Sequence, residues 1–213
     1  CFTVISWSII KTVLRISGVA TLTIGGAPVF TTNPANRSLC EGATTSYTVA
    51  ASAAGPVTYA WYYSVGGGPN VLINDNATFS GSGTSELTVS DIPVSLSGYV
   101  FKCRATFNGC SNTSAVGGNL TVNTLPKITT QPTAVPSVCE GATVSYAVTV
   151  SGSGATIRWQ EFNGSVWNNL NNGGIYSGVT SNTLTLNSLT AAVNGFQYRA
   201  TVVGSCIPNA VSG

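Results

Sequence analysis

The sequence predicts an all-β protein built of two tandem β-sandwiches, and three observations carry that expectation. First, the chain repeats itself at a spacing of about 100 residues, the size of a domain rather than of a solenoid unit. LCEGATTSYTV (39–49) returns as VCEGATVSYAV (138–148), and SGYVFKCRATFNGC (97–110) returns as NGFQYRATVVGSC (194–206). Second, each copy consists of short alternating runs such as Thr45-Tyr47-Val49 and Val144-Tyr146-Val148. These place every second side chain on one face, as a half-buried strand requires. Third, Gly, Asn, Pro and Ser separate the runs roughly every 8 to 12 residues, the cadence of a sandwich, and no helical period appears. The 213 residues suffice for two domains of about 100, each large enough to bury a core.

Taken in order, the chain opens with TVISWSIIKTVLRI (3–16), whose β-branched content and Ile5-Trp7-Ile9 alternation predict a strand. Lys11 and Arg15 interrupt it, so it does not read as a membrane span. Cys1 would suit a lipidated N-terminus, but the residues behind it are bulky and apolar rather than a polar tether. Next comes SGVATLTIGGAP (17–28), which aligns without a gap with AVGGNLTVNTLP (115–126), where one domain closes and the next begins. Ala20, Leu22 and Ile24 alternate with Thr21 and Thr23, so residues 1–26 contain a spare closing strand. Residues 27–124 form the first predicted sandwich, with YAWYYS around Trp61, a VGGGPN hairpin connection and a last strand at 119–122. A short NTLP linker leads into residues 125–213, where Trp159 in IRWQEF repeats Trp61. This second copy stops at IPNAVSG, where the first runs on into GGNLTVN, so it is expected to lack its own last strand.

The order of these landmarks resembles the immunoglobulin fold: a Pro-bounded first strand, an EG turn, a strand bearing Trp, and a GYVFKC or GFQYRA strand. The resemblance implies that Trp61 and Trp159 are core residues and that Phe101 and Tyr198 are aromatics of the penultimate strand. The sequence departs from antibody-type domains at the inter-sheet disulfide, since Val49 and Val148 stand opposite Cys103 and Ala200. The cores must therefore hold by packing alone. VCEGA, NGFQYRA and the trailing GSC or NGC also resemble the immunoglobulin-like repeats of long Bacteroidota surface and secreted proteins. That resemblance covers about residues 17–213 and implies stalks, adhesins and extracellular filaments.

Four of the six cysteines recur in matched positions: Cys40 with Cys139, and Cys110 with Cys206. No C-x-x-C spacing points to zinc, and in a charge-poor chain they read as disulfide candidates. Pairing within each domain would join opposite poles of an immunoglobulin sandwich, roughly 20 Å apart, whereas a bridge needs Cα atoms within about 7 Å. Pairing across the junction, Cys40 with Cys206, requires no such distortion. Both remain open in the sequence. Cys103 lacks a partner on the facing strand and is expected to be free and buried.

Catalytic chemistry finds little support. Charged residues are 7% of the chain and histidine is absent, which removes the commonest general base and the Ser-His and Cys-His pairs. The six acids are Glu41, Asp75, Glu86, Asp91, Glu140 and Glu161. They offer no carboxylate pair within a domain at the roughly 5 to 10 Å that glycoside hydrolysis needs. Asp75 is the best lone cation ligand, but one carboxylate is too few for calcium. No catalytic, cofactor or metal site is expected. A net charge of +2 without a basic stripe excludes nucleic acid and anionic membranes as expected partners.

These readings converge on a non-enzymatic, extracellular structural protein whose expected partner is itself, in a head-to-tail filament or surface stalk. The strand at Ala20, Leu22 and Ile24 would complete the open sandwich of a preceding subunit by strand addition. Alternatively, the same join is covalent within a longer repeat chain. The rival function is an adhesin or a carbohydrate-binding accessory module, for which Trp167, Tyr62 and Tyr63 are the ring platforms to watch.

Overall fold

The computed structural model describes residues 26–213; Cys1 and the spare strand at Ala20, Leu22 and Ile24 lie outside the described residues. The described chain forms two β-sandwiches in tandem, each with its own apolar core.

The first contains β1 (Val29–Thr32), β2 (Arg37–Cys40), β3 (Thr45–Thr48), β4 (Ala50–Ser52), β5 (Thr58–Val65), β6 (Val71–Leu72), β7 (Phe79–Ser80), β8 (Glu86–Val89), β9 (Tyr99–Phe107), β10 (Cys110–Thr113) and β11 (Gly118–Asn123). One layer orders β3-β8-β7, with β4 continuing β3 beyond Val49 and pairing with β1; the other orders β2-β11-β9-β5-β6. The single first strand expected from the sequence is split. Asn33-Pro34 breaks the run, with Pro34 buried, because proline cannot donate to a ladder. β1 therefore stays with the first layer, while β2 crosses to pair in parallel with β11.

The second sandwich contains β12 (Lys127–Thr130), β13 (Val144–Ala147), β14 (Thr149–Ser151), β15 (Thr156–Phe162), β16 (Trp167–Asn169), β17 (Tyr176–Ser177), β18 (Thr183–Leu186), β19 (Gln197–Val203) and β20 (Ala210–Val211). Its layers order β13-β18-β17, beside a β12-β14 pair, and β16-β15-β19-β20. Among the described residues it has no counterpart of β2 or of β11.

Alternation builds both cores. β8 and β18 each bury their second and fourth residues, Leu87 and Val89 in one, Leu184 and Leu186 in the other. Each such side chain contributes roughly 1.5 to 3 kcal/mol by leaving water. Trp61 and Trp159 are both 0% exposed, and each indole N–H donates to a backbone carbonyl, Thr84 and Ser181 respectively, at 2.9 Å. The acceptor carbonyls lie in the same turn of each repeat, which Gly81 and Gly178 close at φ +80° and +75°. A Cβ at either glycine would strike the carbonyl oxygen of Glu86 or Thr183. Two one-turn 3₁₀ helices, Val94–Leu96 and Ala191–Val193, interrupt the β structure before β9 and β19; such single turns leave no period for the sequence to display. No helix among the described residues is long and apolar enough to cross a membrane.

Candidate functional site: the interdomain joint and an open sheet edge

Only Thr124, Leu125 and Pro126 separate β11 from β12, and contacts from both domains hold them. On the first-domain side, the Glu41 amide donates to the Asn123 carbonyl at 3.0 Å. The Glu41 carboxylate in turn accepts the Leu125 amide at 3.1 Å. From the second domain, Ser153 Oγ accepts the Thr124 amide at 3.0 Å, and the Ser153 amide donates to the Thr124 carbonyl at 3.3 Å. Pro126 is buried, and a Cβ at Gly152 (φ +125°) would lie 2.7 Å from its Cα. Gly152 thus lets the backbone approach the linker where a larger residue could not. Across this junction Cys40 is disulfide-bonded to Cys206, with Cα atoms 5.8 Å apart. The bridge joins the end of β2 in one domain to the loop after β19 in the other.

The remaining cysteines sit in different settings. Cys139, the repeat counterpart of Cys40, is exposed with a free thiol; Cys110 is half-buried at the start of β10. Cys103 is fully buried opposite Trp61, and burial pushes its thiol up to about 12, which leaves it an inert core residue.

At the far pole of the second domain the two repeats diverge. In the first domain β11 lies parallel to β2, with Leu120 opposite Arg37 and Val122 opposite Leu39, and antiparallel to β9, with Gly118 opposite Phe101. Leu120 and Val122 are buried against Tyr47, Ile92, Leu96 and Phe101. The backbone is tied at both sides: the Gly98 amide donates to the Leu120 carbonyl at 2.8 Å, and the Val122 amide donates to Ser97 Oγ at 3.0 Å. In the second domain the corresponding place is a groove of about 460 Å³, lined by Val135, Val138, Tyr146, Leu189, Val193 and Tyr198, among others. The counterparts of Tyr47, Ile92, Leu96 and Phe101 are Tyr146, Leu189, Val193 and Tyr198. The first-domain residues are at most 8% exposed, whereas the second-domain four are only half-buried. β20 covers β19 only at Thr201 and Val202, so the edge of β19 below Ala200 carries no strand among the described residues.

A polar cluster stands beside this groove. The Tyr176 hydroxyl donates to Glu161 and lies 3.4 Å from the Tyr198 hydroxyl, and the Tyr198 ring stacks on Tyr146 at 5.4 Å. Burial, reinforced by the Glu161 hydrogen bond, raises the Tyr176 phenol; burial also raises Tyr146 and Tyr198. The first domain has Phe79 and Phe101 in the places of Tyr176 and Tyr198. One carboxylate among phenols makes a buried-edge hydrogen-bond network rather than an acid–base pair.

The other residues singled out in the sequence have local duties. Asp75 accepts the Ser82 amide at 2.8 Å, and hydrogen bonding by the Ser82 side chain, then by its backbone, holds the carboxyl below the usual range; it staples a loop. No cluster of three or more metal-ligating side chains occurs among the described residues. Glu41 and Glu140, equivalent in the repeat, bind different amides, Leu125 at the joint and Ala191 within the second domain. Trp167 is covered by the Arg199 guanidinium, 4.0 Å from its ring, and by Phe162. Tyr62 lies under Arg104 and Tyr63 stacks on Tyr99. These rings form separate covered pairs rather than a continuous exposed platform for sugar. Sequence reading missed Ser153 and the Glu41 contact, because a lone serine and a turn glutamate carry no signal of the domain that will meet them.

No family model matches the chain, and no curated protein matches it in sequence. Solved structures do. Titin domains I67–I69, in a Glu-to-Ala variant, align with 90% of this chain at 17% identity and TM-score 0.67, with 65% of that chain covered. Extracellular domains 3–5 of Drosophila OTK align with 87% at 15% identity and TM-score 0.59, with 60% of that chain covered. Immunoglobulin domains 1–5 of Sidekick-1 align with 89% at 16% identity and TM-score 0.59, with 39% covered. The chain thus spans less than two thirds of each of these structures. Likeness at this identity establishes the fold: the protein is a tandem of immunoglobulin-like β-sandwiches.

Proposed function

We propose that the protein is a non-enzymatic, extracellular structural protein in which domains 27–124 and 125–213 form one stiff section of a head-to-tail filament or surface stalk. The joint carries this reading. A three-residue linker bound from both sides, closed by the Cys40–Cys206 bridge, suits a rod that transmits load better than a flexible tether. A disulfide spanning two domains also fits an oxidising compartment, and the sequence resemblance to bacterial surface repeats supports the same location. Cys139 repeats the placement of Cys40 at the next pole, so the joint is of a kind that can recur along an array.

Small-angle scattering of the full chain tests this. The oxidised protein should fit a single extended arrangement of two domains, and Cys206→Ala should broaden the distribution of interdomain angles. An oxidised chain already scattering as two freely hinged bodies would overturn the reading.

A further inference from the structure

We infer that the outer face of β16, β15 and β19 in the second sandwich binds the carboxylates of an acidic polysaccharide, through hydrogen-bond donors rather than through exposed rings. This goes beyond the structural role above and does not depend on the joint.

Alternation on β15 buries Ile157 and Trp159 and turns Arg158 and Gln160 outward. Strand pairing sets Arg199 and Asn169 on either side of Gln160, on the same face. Arg199 fixes the direction of the whole row, because a guanidinium donates and never accepts. Its Nε donates to Gln160 Oε1 at 2.8 Å, so the Gln160 amide nitrogen is left to donate to Asn169 Oδ1 at 2.9 Å. Asn169 Nδ2 then has no partner among the described residues. Beside this row Arg158 Nη2 donates to Asn171 Oδ1 at 3.0 Å, which leaves Asn171 Nδ2 unused in the same way. Arg158 Nε is buried and has no partner either. Every amide oxygen of the network is thus engaged from within. What remains for a ligand is N–H alone: the Arg199 Nη groups and the amide nitrogens of the exposed Asn169 and Asn171. A surface of donors calls for a ligand of acceptors.

The charge is equally one-sided. The acids of residues 125–213 are Glu140 and Glu161. Glu140 accepts the Ala191 amide, and Glu161 lies on the other face of β15, where Tyr176 donates to it. Neither Arg158 nor Arg199 has an ion pair among the described residues. The Arg199 guanidinium also rests 4.0 Å from the Trp167 ring centre, so its fork is held ready and loses little freedom on meeting a carboxylate. The fold does not require this network. In the first domain the equivalent row is Lys102, Tyr62 and Leu72, and Ala60 stands in place of Arg158. Two cations among amides suit a chain with spaced negative charge and many neutral oxygens. A uronic-acid polysaccharide is such a chain: its carboxylates match the arginine forks, and its hydroxyl and ring oxygens accept from Asn169 and Asn171. Phosphate polymers carry denser charge and need a basic stripe, which this chain lacks. The row crosses three strands, about 10 Å at roughly 4.8 Å per step, enough to engage neighbouring sugars.

Isothermal titration of the full chain with polygalacturonate, neutral dextran and polyglutamate tests the proposal. Polygalacturonate should bind saturably and more weakly as salt is added. Dextran, which lacks the carboxylates, should not bind, and polyglutamate, which lacks the sugar oxygens, should bind more weakly. Arg199→Lys keeps the charge but loses the fork and the ring contact, and should weaken polygalacturonate binding about tenfold or more. Asn169→Ala should weaken it about fivefold. Lys102→Gln, at the equivalent place on the first domain, should leave it unchanged. Near-ultraviolet circular dichroism identical to wild type separates a lost site from a lost fold, and Asn169→Ala keeps the test open if Arg199→Lys misfolds. A chain that ignores polygalacturonate overturns the proposal. So does full affinity in both Arg199→Lys and Asn169→Ala, or polyglutamate binding as tightly as polygalacturonate.

Discussion

The two sandwiches repeat one sequence frame, yet among the described residues the first is closed and the second is open along one edge. Both seat a tryptophan on the same carbonyl in the same glycine turn, and both alternate through β8 and β18 in the same register. They differ at one strand. Where β11 covers Ile92, Leu96, Tyr47 and Phe101, the second domain leaves Leu189, Val193, Tyr146 and Tyr198 half-buried. The second domain also replaces Phe79 and Phe101 by Tyr176 and Tyr198, whose hydroxyls meet each other while that of Tyr176 donates to Glu161. An edge that stays wet tolerates phenols and a carboxylate; a sealed core favours phenylalanine. Among the described residues, Tyr176 and Tyr198 stand beside the open edge, while Phe79 and Phe101 pack in or against the closed core that β11 joins. An unpaired edge with apolar residues behind it is also a template for association.

The comparison can be broken first at the shared centre. Trp61→Ala and Trp159→Ala should each destabilise their own domain by about 3 to 5 kcal/mol, read as two separate losses in chemical denaturation. A much smaller loss at Trp159 would mean that the two cores are not equivalent. Next, Leu120→Ala should cost about 2 to 5 kcal/mol, because it empties a sealed site. Its neighbour Leu96 has the half-buried counterpart Val193, and Val193→Ala should cost under about 1.5 kcal/mol in the monomer. Equal losses at Leu120 and Val193 in a monomeric chain would erase the distinction between closed and open edges.

Alkaline titration sharpens it. Burial pushes the Tyr47 phenol up to about 12 from an ordinary value of 10.0, and burial raises Tyr146, Tyr176 and Tyr198 as well. A phenol raised in the folded state binds its proton more tightly there than in the unfolded chain. The stability it contributes is complete below pH 10 and is lost as pH rises through the folded value. Thermal midpoints should therefore be flat up to about pH 10 and fall above it, with tyrosinate absorbance appearing as each domain opens. Ionisation of every tyrosine near pH 10 in the folded protein would contradict this. The smallest effect is expected at Tyr47→Phe. The Tyr47 hydroxyl is buried and finds no partner among the described residues, so its removal should be neutral or stabilise by up to about 1 kcal/mol. A loss above that would reveal a hidden partner.

Fold class, repeat length and the two core tryptophans were legible in the sequence because they rest on local and periodic signals. Alternation sets which face of a strand is buried, and glycine turns set where strands end. The matched spacing of Cys40, Cys110, Cys139 and Cys206 was equally plain, but spacing could not choose a pairing. Two bridges within domains and one across the junction use the same cysteines. Only the folded chain brings Cys40 and Cys206 to a Cα separation of 5.8 Å, because that distance depends on how the two sandwiches stack about three linker residues. The crossing of β2 to the opposite sheet, the grip of Ser153 and Glu41 on the linker, and the exposure of Leu189 and Val193 are decisions of the same kind. Sequence by itself determined what each strand would bury, since that is a property of neighbours two residues apart. Tertiary structure decided which surfaces meet and which stay open, since those contacts join residues as distant as Cys40 and Cys206.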